Sequence, residues 1–263
     1  MRVHAVGLAS GDDRAANLAA SVAAVHAAVD DGADLVVLPE YAAGFEPGGV
    51  GPEHAEPLDG PYVAALVDAV AGTGTVVLAG TVLAGSTPER GVNVVVALDA
   101  GGVLGTYRKV HLYDAFGHRE SDRLEAGDPG APPLVLDVAG LRVGVITCYD
   151  LRFPESARRL VDAGAQVIAV PAAWAAGERK ADHWLTLLRA RAIESTAYVV
   201  GVAMQGRGLA GVPTVVDPLG VVLGHGASVV ADLDPAVVVA VRERNPSLLN
   251  RRYAVVERGQ AAL

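Results

Sequence analysis

Short runs rich in valine, leucine and isoleucine alternate along the whole chain with alanine-rich stretches of helical period, and few architectures tolerate that alternation. An apolar run of strand length has to be buried, and a helix with one apolar stripe has to cover something. Repeated segments of the two kinds therefore stack as layers, with helices outside sheets, and an all-helical fold is disfavoured. Hydrophobic residues make up 51% of the 263 residues, which suits strands buried on both faces and one α/β domain over residues 1–263.

The pattern predicts strands at 3–8 and 34–38 around a helix at 13–30, making a βαβ unit. A helix over 61–72 leads to strands at 75–82, 92–98 and 103–108, the last two joined as a hairpin by Gly101-Gly102. Beyond these come strands at 134–138 and 141–147, a helix at 154–163, a strand at 166–170 and a helix at 179–194. Strands at 197–204, 212–216, 219–223 and 228–233 complete the pattern. The segment from Asp31 to Pro39 is echoed from Asp162 to Pro171: in each, a helix end and a glycine turn precede an apolar strand closed by proline. Two such halves facing each other would make a sandwich of two sheets with helices outside, although any α/β protein reuses this unit.

A formal net charge of −9 and only two lysines, Lys109 and Lys180, argue against a protein that coats nucleic acid or an anionic membrane. No apolar run reaches the roughly 18 residues of a membrane span, and the opening Met1–Leu8 reads as a strand and not as a leader. The expected partners are small molecules and other protein chains, with a cytoplasmic location. A reducing compartment suits a free thiol.

Cys148 is the one cysteine, and it sits where a buried strand is expected to end, in Gly144-Val145-Ile146-Thr147-Cys148-Tyr149-Asp150-Leu151-Arg152-Phe153-Pro154-Glu155. It has no partner for an internal disulfide, so reactivity is the leading explanation for it. A free thiol of pKa about 8.5 is mostly protonated at neutral pH and needs an activator. The helix expected from Pro154 would help modestly through its positive end. Two other groups stand out by position. Glu40 closes the strand Leu35-Val36-Val37-Leu38-Pro39, where a sheet delivers side chains to its carboxyl edge. Lys109 follows a hairpin strand in a chain that otherwise uses arginine. Read singly, each is as easily a solvated turn residue.

Together the three carry more. The stretches Leu38-Pro39-Glu40, Arg108-Lys109-Val110-His111-Leu112 and Gly144–Glu155 resemble the nitrilase superfamily of carbon–nitrogen hydrolases, as do Val170-Pro171-Ala172-Ala173-Trp174 and Arg189-Ala190-Arg191-Ala192-Ile193-Glu194. That resemblance implies a four-layer α-β-β-α sandwich, at least a homodimer, with its site at the strand ends. It implies Cys148 as nucleophile, Glu40 as general base, and Lys109 with the Tyr149 backbone N–H as oxyanion donors. A second glutamate is usual after the lysine, and Glu120 in Gly117-His118-Arg119-Glu120 fits that place, orienting Lys109 or the substrate.

Other chemistry is less well served. His111, His118 and His183 form no paired ligand motif, so neither a metal nor another cofactor is expected. Trp174 directly follows a strand and is expected in the substrate pocket with Tyr149, whereas Trp184 is assigned to the core. Nitrile-hydrolysing members commonly carry Trp-Glu after the cysteine. The sequence Cys148-Tyr149-Asp150 with Arg152-Phe153 instead resembles the branch of omega-amidases and deaminated-glutathione amidases. A small carboxylate-bearing amide is the expected substrate, with an arginine as its clamp: Arg152, or the loop residues Arg119, Arg179 and Arg207. An N-carbamoyl amine or amino acid amidohydrolase would use the same groups, and acyl transfer would share the thioester. A silent scaffold or thiol sensor would be free to lose Glu40, Lys109 or Cys148, and all three are present.

Overall fold

Strands buried on both faces need cover on both faces, and this chain supplies it by pairing two sheets and backing each with helices. In the computed structural model, which describes residues 1–257, the first half contains β1 (Arg2–Val6), α1 (Arg14–Asp30), β2 (Leu35–Val37), α2 (Pro61–Ala69), β3 (Val76–Ala84), β4 (Gly91–Asp99) and β5 (Gly102–Arg108). A small hairpin follows, β6 (Asp114–Ala115) with β7 (His118–Arg119), and then β8 (Val135–Val138) and β9 (Leu141–Val145). The remainder is α3 (Pro154–Asp162), β10 (Val167–Ala172), α4 (Lys180–Ser195), β11 (Tyr198–Ala203), β12 (Thr214–Val216), β13 (Val222–His225), β14 (Ser228–Asp232) and α5 (Pro235–Arg244).

The two main sheets have six strands each, in the orders β14-β1-β2-β3-β4-β5 and β13-β12-β11-β10-β9-β8. Starting from β14 in one and β8 in the other, successive pairings run antiparallel, parallel, parallel, antiparallel, antiparallel in both. The echoed segments end in β2 and β10, which hold the same place in the two sheets. The echo is thus a repeated architecture.

Three apolar layers hold the sandwich together. Val3, Ala5, Leu35, Val37 and Leu78 of the first sheet meet Val143, Val145, Val167, Ala169 and Val200 of the second in a shared middle core. On the outer face of the first sheet, Val36, Val77 and Val94 pack under Val25 of α1 and Leu66 of α2. The second sheet presents Ile168, Val170 and Val199 to Leu160 of α3 and to Trp184 and Leu188 of α4. Alternate residues of one strand thus serve different layers, as the two-residue period of a strand requires. The order of layers is α-β-β-α.

Local signals place the helix starts. Asp13 caps α1 by accepting a hydrogen bond from Ala16 N–H, and α3 opens on Pro154, whose missing N–H costs a first helical position nothing. Helix α5 was not expected, and its run Val237-Val238-Val239 is of β-branched residues with low helix propensity. Asp234, accepting from Ala236 N–H, and Pro235 start it as a helix instead. The strand expected at 219–223 begins only at Val222, since the Asp217 carboxylate accepts from Leu219 and Val221 N–H and folds that stretch into a turn. The β6–β7 hairpin was likewise not expected.

One glycine decides how close two strands approach beside the site. Gly80 of β3 lies against the chain where it leaves β2: a Cβ built there would stand 2.5 Å from Glu40 Cα and from Pro39 O, and 2.6 Å from Tyr41 N. These are backbone atoms, which cannot swing aside. Gly80→Ala is expected to cost about 1–3 kcal/mol, as overpacking does, and to shift Glu40. Thermal denaturation alongside activity checks this: Tm should fall and activity with it, and wild-type values for both would refute the close approach.

Candidate active site

The carboxyl ends of β2 and β9, with the chain following β5, converge on one buried cluster. Glu40 lies three residues beyond β2, Lys109 is the residue after β5, and Cys148 opens a short 3-10 turn after β9. Glu40 and Lys109 are each 1% exposed and Cys148 7%. Ions so deeply buried are unstable alone, by several kcal/mol each, so what they touch decides whether they can exist.

Lys109 Nζ donates to Glu40 Oε1 at 2.9 Å and to the Glu120 carboxylate at 2.9 and 3.0 Å. One ammonium is therefore held between two carboxylates. Burial alone would drive its pKa down, but the charges of Glu120 and Glu40 outweigh this and hold it well above the ordinary lysine value. Lys109 is a fixed positive charge and cannot serve as a base near neutral pH. For Glu120, burial pushes the carboxyl up, yet Lys109 and hydrogen bonds from Tyr41 and from Tyr113 N–H hold it below the usual carboxylate range. The expected partnership of Lys109 and Glu120 is present in the geometry.

Glu40 is pinned at both oxygens. Oε1 also accepts from Asn93 Nδ2 at 2.7 Å, and Oε2 accepts from Ala173 N–H at 2.7 Å, just beyond the end of β10. Sequence reasoning missed Asn93 and Tyr41. Asn93 is fully buried in the middle of the apolar strand Val92-Asn93-Val94-Val95-Val96, and there it donates to Tyr41 OH at 2.8 Å as well. A lone amide inside an apolar run was the available signal, because a buried polar group needs a partner.

The thiol has a different balance. Burial raises the Cys148 pKa well above the ordinary thiol value, Glu40 raises it further, and Lys109 only partly opposes them. A thiolate would stand beside Glu40 and Glu120 with only Lys109 to offset them. In the free protein the proton stays on sulfur, and the activation expected from a helix end does not prevail. The backbone at Cys148 has φ +47°, in the left-handed region that non-glycine residues occupy at a cost of roughly 1–3 kcal/mol. The following Asp150 fixes this turn: fully buried, it accepts from Thr147 N–H, Tyr107 OH and His111 N–H. His111 is thereby used in holding the loop.

A cavity of about 500 Å3 opens onto this cluster, reached by Glu40, Lys109, Glu120, Cys148, Tyr149 and Trp174. Both expected pocket residues line it, although Trp174 is 97% covered and its indole N–H is spent on Lys180 O at 2.8 Å. Trp184 lies in the core, donating to Val212 O. Among the expected arginines, Arg152, Arg119 and Arg207 reach the cavity. Arg179 instead pairs with Asp182 at 2.7 Å on the surface.

The profile of the carbon–nitrogen hydrolase family matches residues 2–252. A hydrolase of Mycobacterium tuberculosis is 38% identical over 287 aligned positions, covering 99% of each chain. The deaminated glutathione amidase of Escherichia coli O157:H7 is 44% identical over 173 positions, 64% of this chain and 65% of that protein. Among solved structures, a double mutant of the amidase from Nesterenkonia sp. AN1 in complex with acrylamide superposes with TM-score 0.77 at 28% identity, covering 96% of this chain and 94% of that one.

With a single cysteine in the chain, alkylation followed by mass spectrometry reports on Cys148 alone. Its rate with iodoacetamide should rise with pH through an inflection above that of free cysteine. Glu40→Gln removes a negative charge that raises the thiol pKa, so the inflection should move to lower pH. A shift upward, or none, would contradict the electrostatic balance at the site.

Proposed function

This chain belongs to the carbon–nitrogen hydrolase family, and from that premise we propose that it cleaves a small carboxylate-bearing amide to a carboxylate and ammonia through a thioester on Cys148. The supporting observation is a buried ammonium shared by two carboxylates beside a lone thiol, at the floor of a cavity.

In this reading Cys148 Sγ attacks the amide carbonyl carbon while its proton passes to Glu40, so no free thiolate accumulates. The developing oxyanion is met by Lys109 Nζ and by the Tyr149 backbone N–H, near the start of a 3-10 turn where amides lack partners inside the turn. Collapse breaks the C–N bond, Glu40 returns the proton to nitrogen, and ammonia leaves. Water then attacks the thioester carbon, giving its proton to Glu40. The second collapse expels sulfur, which takes that proton back, and the acid product ionises. One carboxylate serves both halves, consistent with hydrogen bonds that fix both its oxygens.

Glu120 is read as a positioning residue, holding Lys109 and carrying the tie from Tyr41. Tyr149 and Trp174 are read as pocket walls. The amide class is favoured by the names of the relatives, one a deaminated glutathione amidase and one an amidase holding acrylamide. An N-carbamoyl substrate would use the same groups. The reading also takes the protein as cytoplasmic, and as at least a homodimer, the dimer being supported by the exposed apolar side chains of Leu219, Val221 and Leu223 near the edge of the second sheet. No described helix is long and apolar enough to cross a membrane.

Ammonia release from a panel of omega-amides, carbamoyl compounds and nitriles tests the reaction. Wild type should act on carboxylate-bearing amides, and Cys148→Ala should lose turnover by several orders of magnitude while keeping its Tm, since truncating one small side chain at a cavity leaves little void. Comparable release by that variant would eliminate the thioester. Release from carbamoyl compounds alone would select the alternative substrate.

A further inference from the structure

Two positive charges that line the cavity are at least partly buried and have no carboxylate partner among the described residues. Lys180, at the start of α4, is 96% covered, yet its Nζ donates only to Tyr113 OH, at 2.8 Å. The ammonium lies 3.9 Å from the ring centre of Phe116, 4.8 Å from that of Tyr113 and 5.7 Å from that of Trp174. Arg152 lies beside it, its guanidinium 4.9 Å from the Trp174 ring and 5.8 Å from that of Phe116. The buried Arg152 Nε has no hydrogen-bond partner.

Aromatic faces stabilise such cations by about 0.5–2 kcal/mol each, which does not replace a lost hydration shell. Two like charges crowd one another, and burial together with Arg152 pulls the Lys180 pKa down from the ordinary lysine value. The other charged cluster of the same cavity is differently arranged, with Lys109 fully neutralised by Glu40 and Glu120. Covered cationic charge is thus left uncompensated at Lys180 and Arg152, facing the space a substrate would fill, whereas Arg207, which also lines the cavity without a carboxylate partner, is exposed. An anion bound there would gain charge-assisted hydrogen bonds from groups already desolvated and held in place.

We propose that Lys180, supported by Arg152 and caged by Phe116, Tyr113 and Trp174, is the seat for the substrate's carboxylate, so that this lysine sets the preference for an anionic amide. The assignment rests on the substrate reading given above and adds a lysine to the arginine expected as a clamp. Lys180 and Cys148 line the same cavity of about 500 Å3, so the carboxylate and the scissile amide would be separated by a short chain. The substrate class is the monoamide of a short dicarboxylic acid. Phe116, 67% exposed at the tip of the β6–β7 hairpin, forms the outer wall of the seat.

Two probes separate the seat from the reaction. Iodoacetate and iodoacetamide deliver similar carbon electrophiles to Cys148 sulfur with loss of iodide, one anionic and one neutral. The ratio of their alkylation rates should fall about tenfold or more in Lys180→Met, the order of one charge-assisted contact, and stay near wild type in Lys180→Arg. In turnover, the kcat/KM preference of wild type for a dicarboxylic monoamide over an uncharged amide of equal length should fall similarly in Lys180→Met, mainly through KM. The Trp174 tie uses the Lys180 backbone carbonyl, so neither substitution removes it. An alkylation ratio equal in wild type and Lys180→Met overturns the seat. A ratio that falls in the variant, from a wild type that hydrolyses only uncharged amides, sustains the anion seat and removes the substrate reading.

Discussion

A buried lysine ammonium held between two carboxylates organises this molecule's chemistry. Lys109 brings together three remote parts of the chain: the turn after β2 through Glu40, the end of β5 through its own backbone, and the segment after β7 through Glu120. The arrangement is expensive in desolvation and is offset only while all members are present. Removing either carboxylate leaves a less compensated charge, and removing the ammonium leaves two like charges facing one another. Burial and Glu40, only partly opposed by Lys109, raise the Cys148 pKa, which ties the protonation of the thiol to the electrostatics of the fold.

The sandwich explains why these groups meet. Parallel strands in the middle of each sheet end on the same side, and the two sheets share a pairing pattern. Equivalent strands β2 and β10 then contribute to one carboxylate: β2 leads to Glu40, and the chain beyond β10 gives it the Ala173 N–H. The close approach at Gly80 and the Asp150 anchor beneath the Cys148 turn are further parts of that positioning. Backbone strain at Cys148 is retained because the surrounding hydrogen bonds overdetermine it.

Much of this was legible in the sequence. The periods of two and of 3.6 residues locate most strands and helices, and the echo between residues 31–39 and 162–171 marks the repeated half. What escaped was structure set by neighbours and not by local preference. Helix α5 is rich in β-branched residues and is fixed by its cap and by packing of Val238 and Val241. The hairpin at 114–119 is too short to have a period. At the site, Glu40, Lys109, Cys148 and Glu120 were read from their positions and motifs, whereas Asn93 and Tyr41 act through contacts more than 50 residues distant in sequence. Lys180 was noticed only as a rare lysine, because its meaning lies in the aromatic cage and the missing counterion.

Intact-mass spectrometry of the enzyme quenched during turnover of a dicarboxylic monoamide tests the central claim most directly. The account predicts a species heavier than the free enzyme by the substrate mass less ammonia, located on the peptide containing Cys148 and absent in Cys148→Ala. Steady ammonia release with no such adduct at any quench time, or an adduct on another residue, would contradict a mechanism built on this thiol.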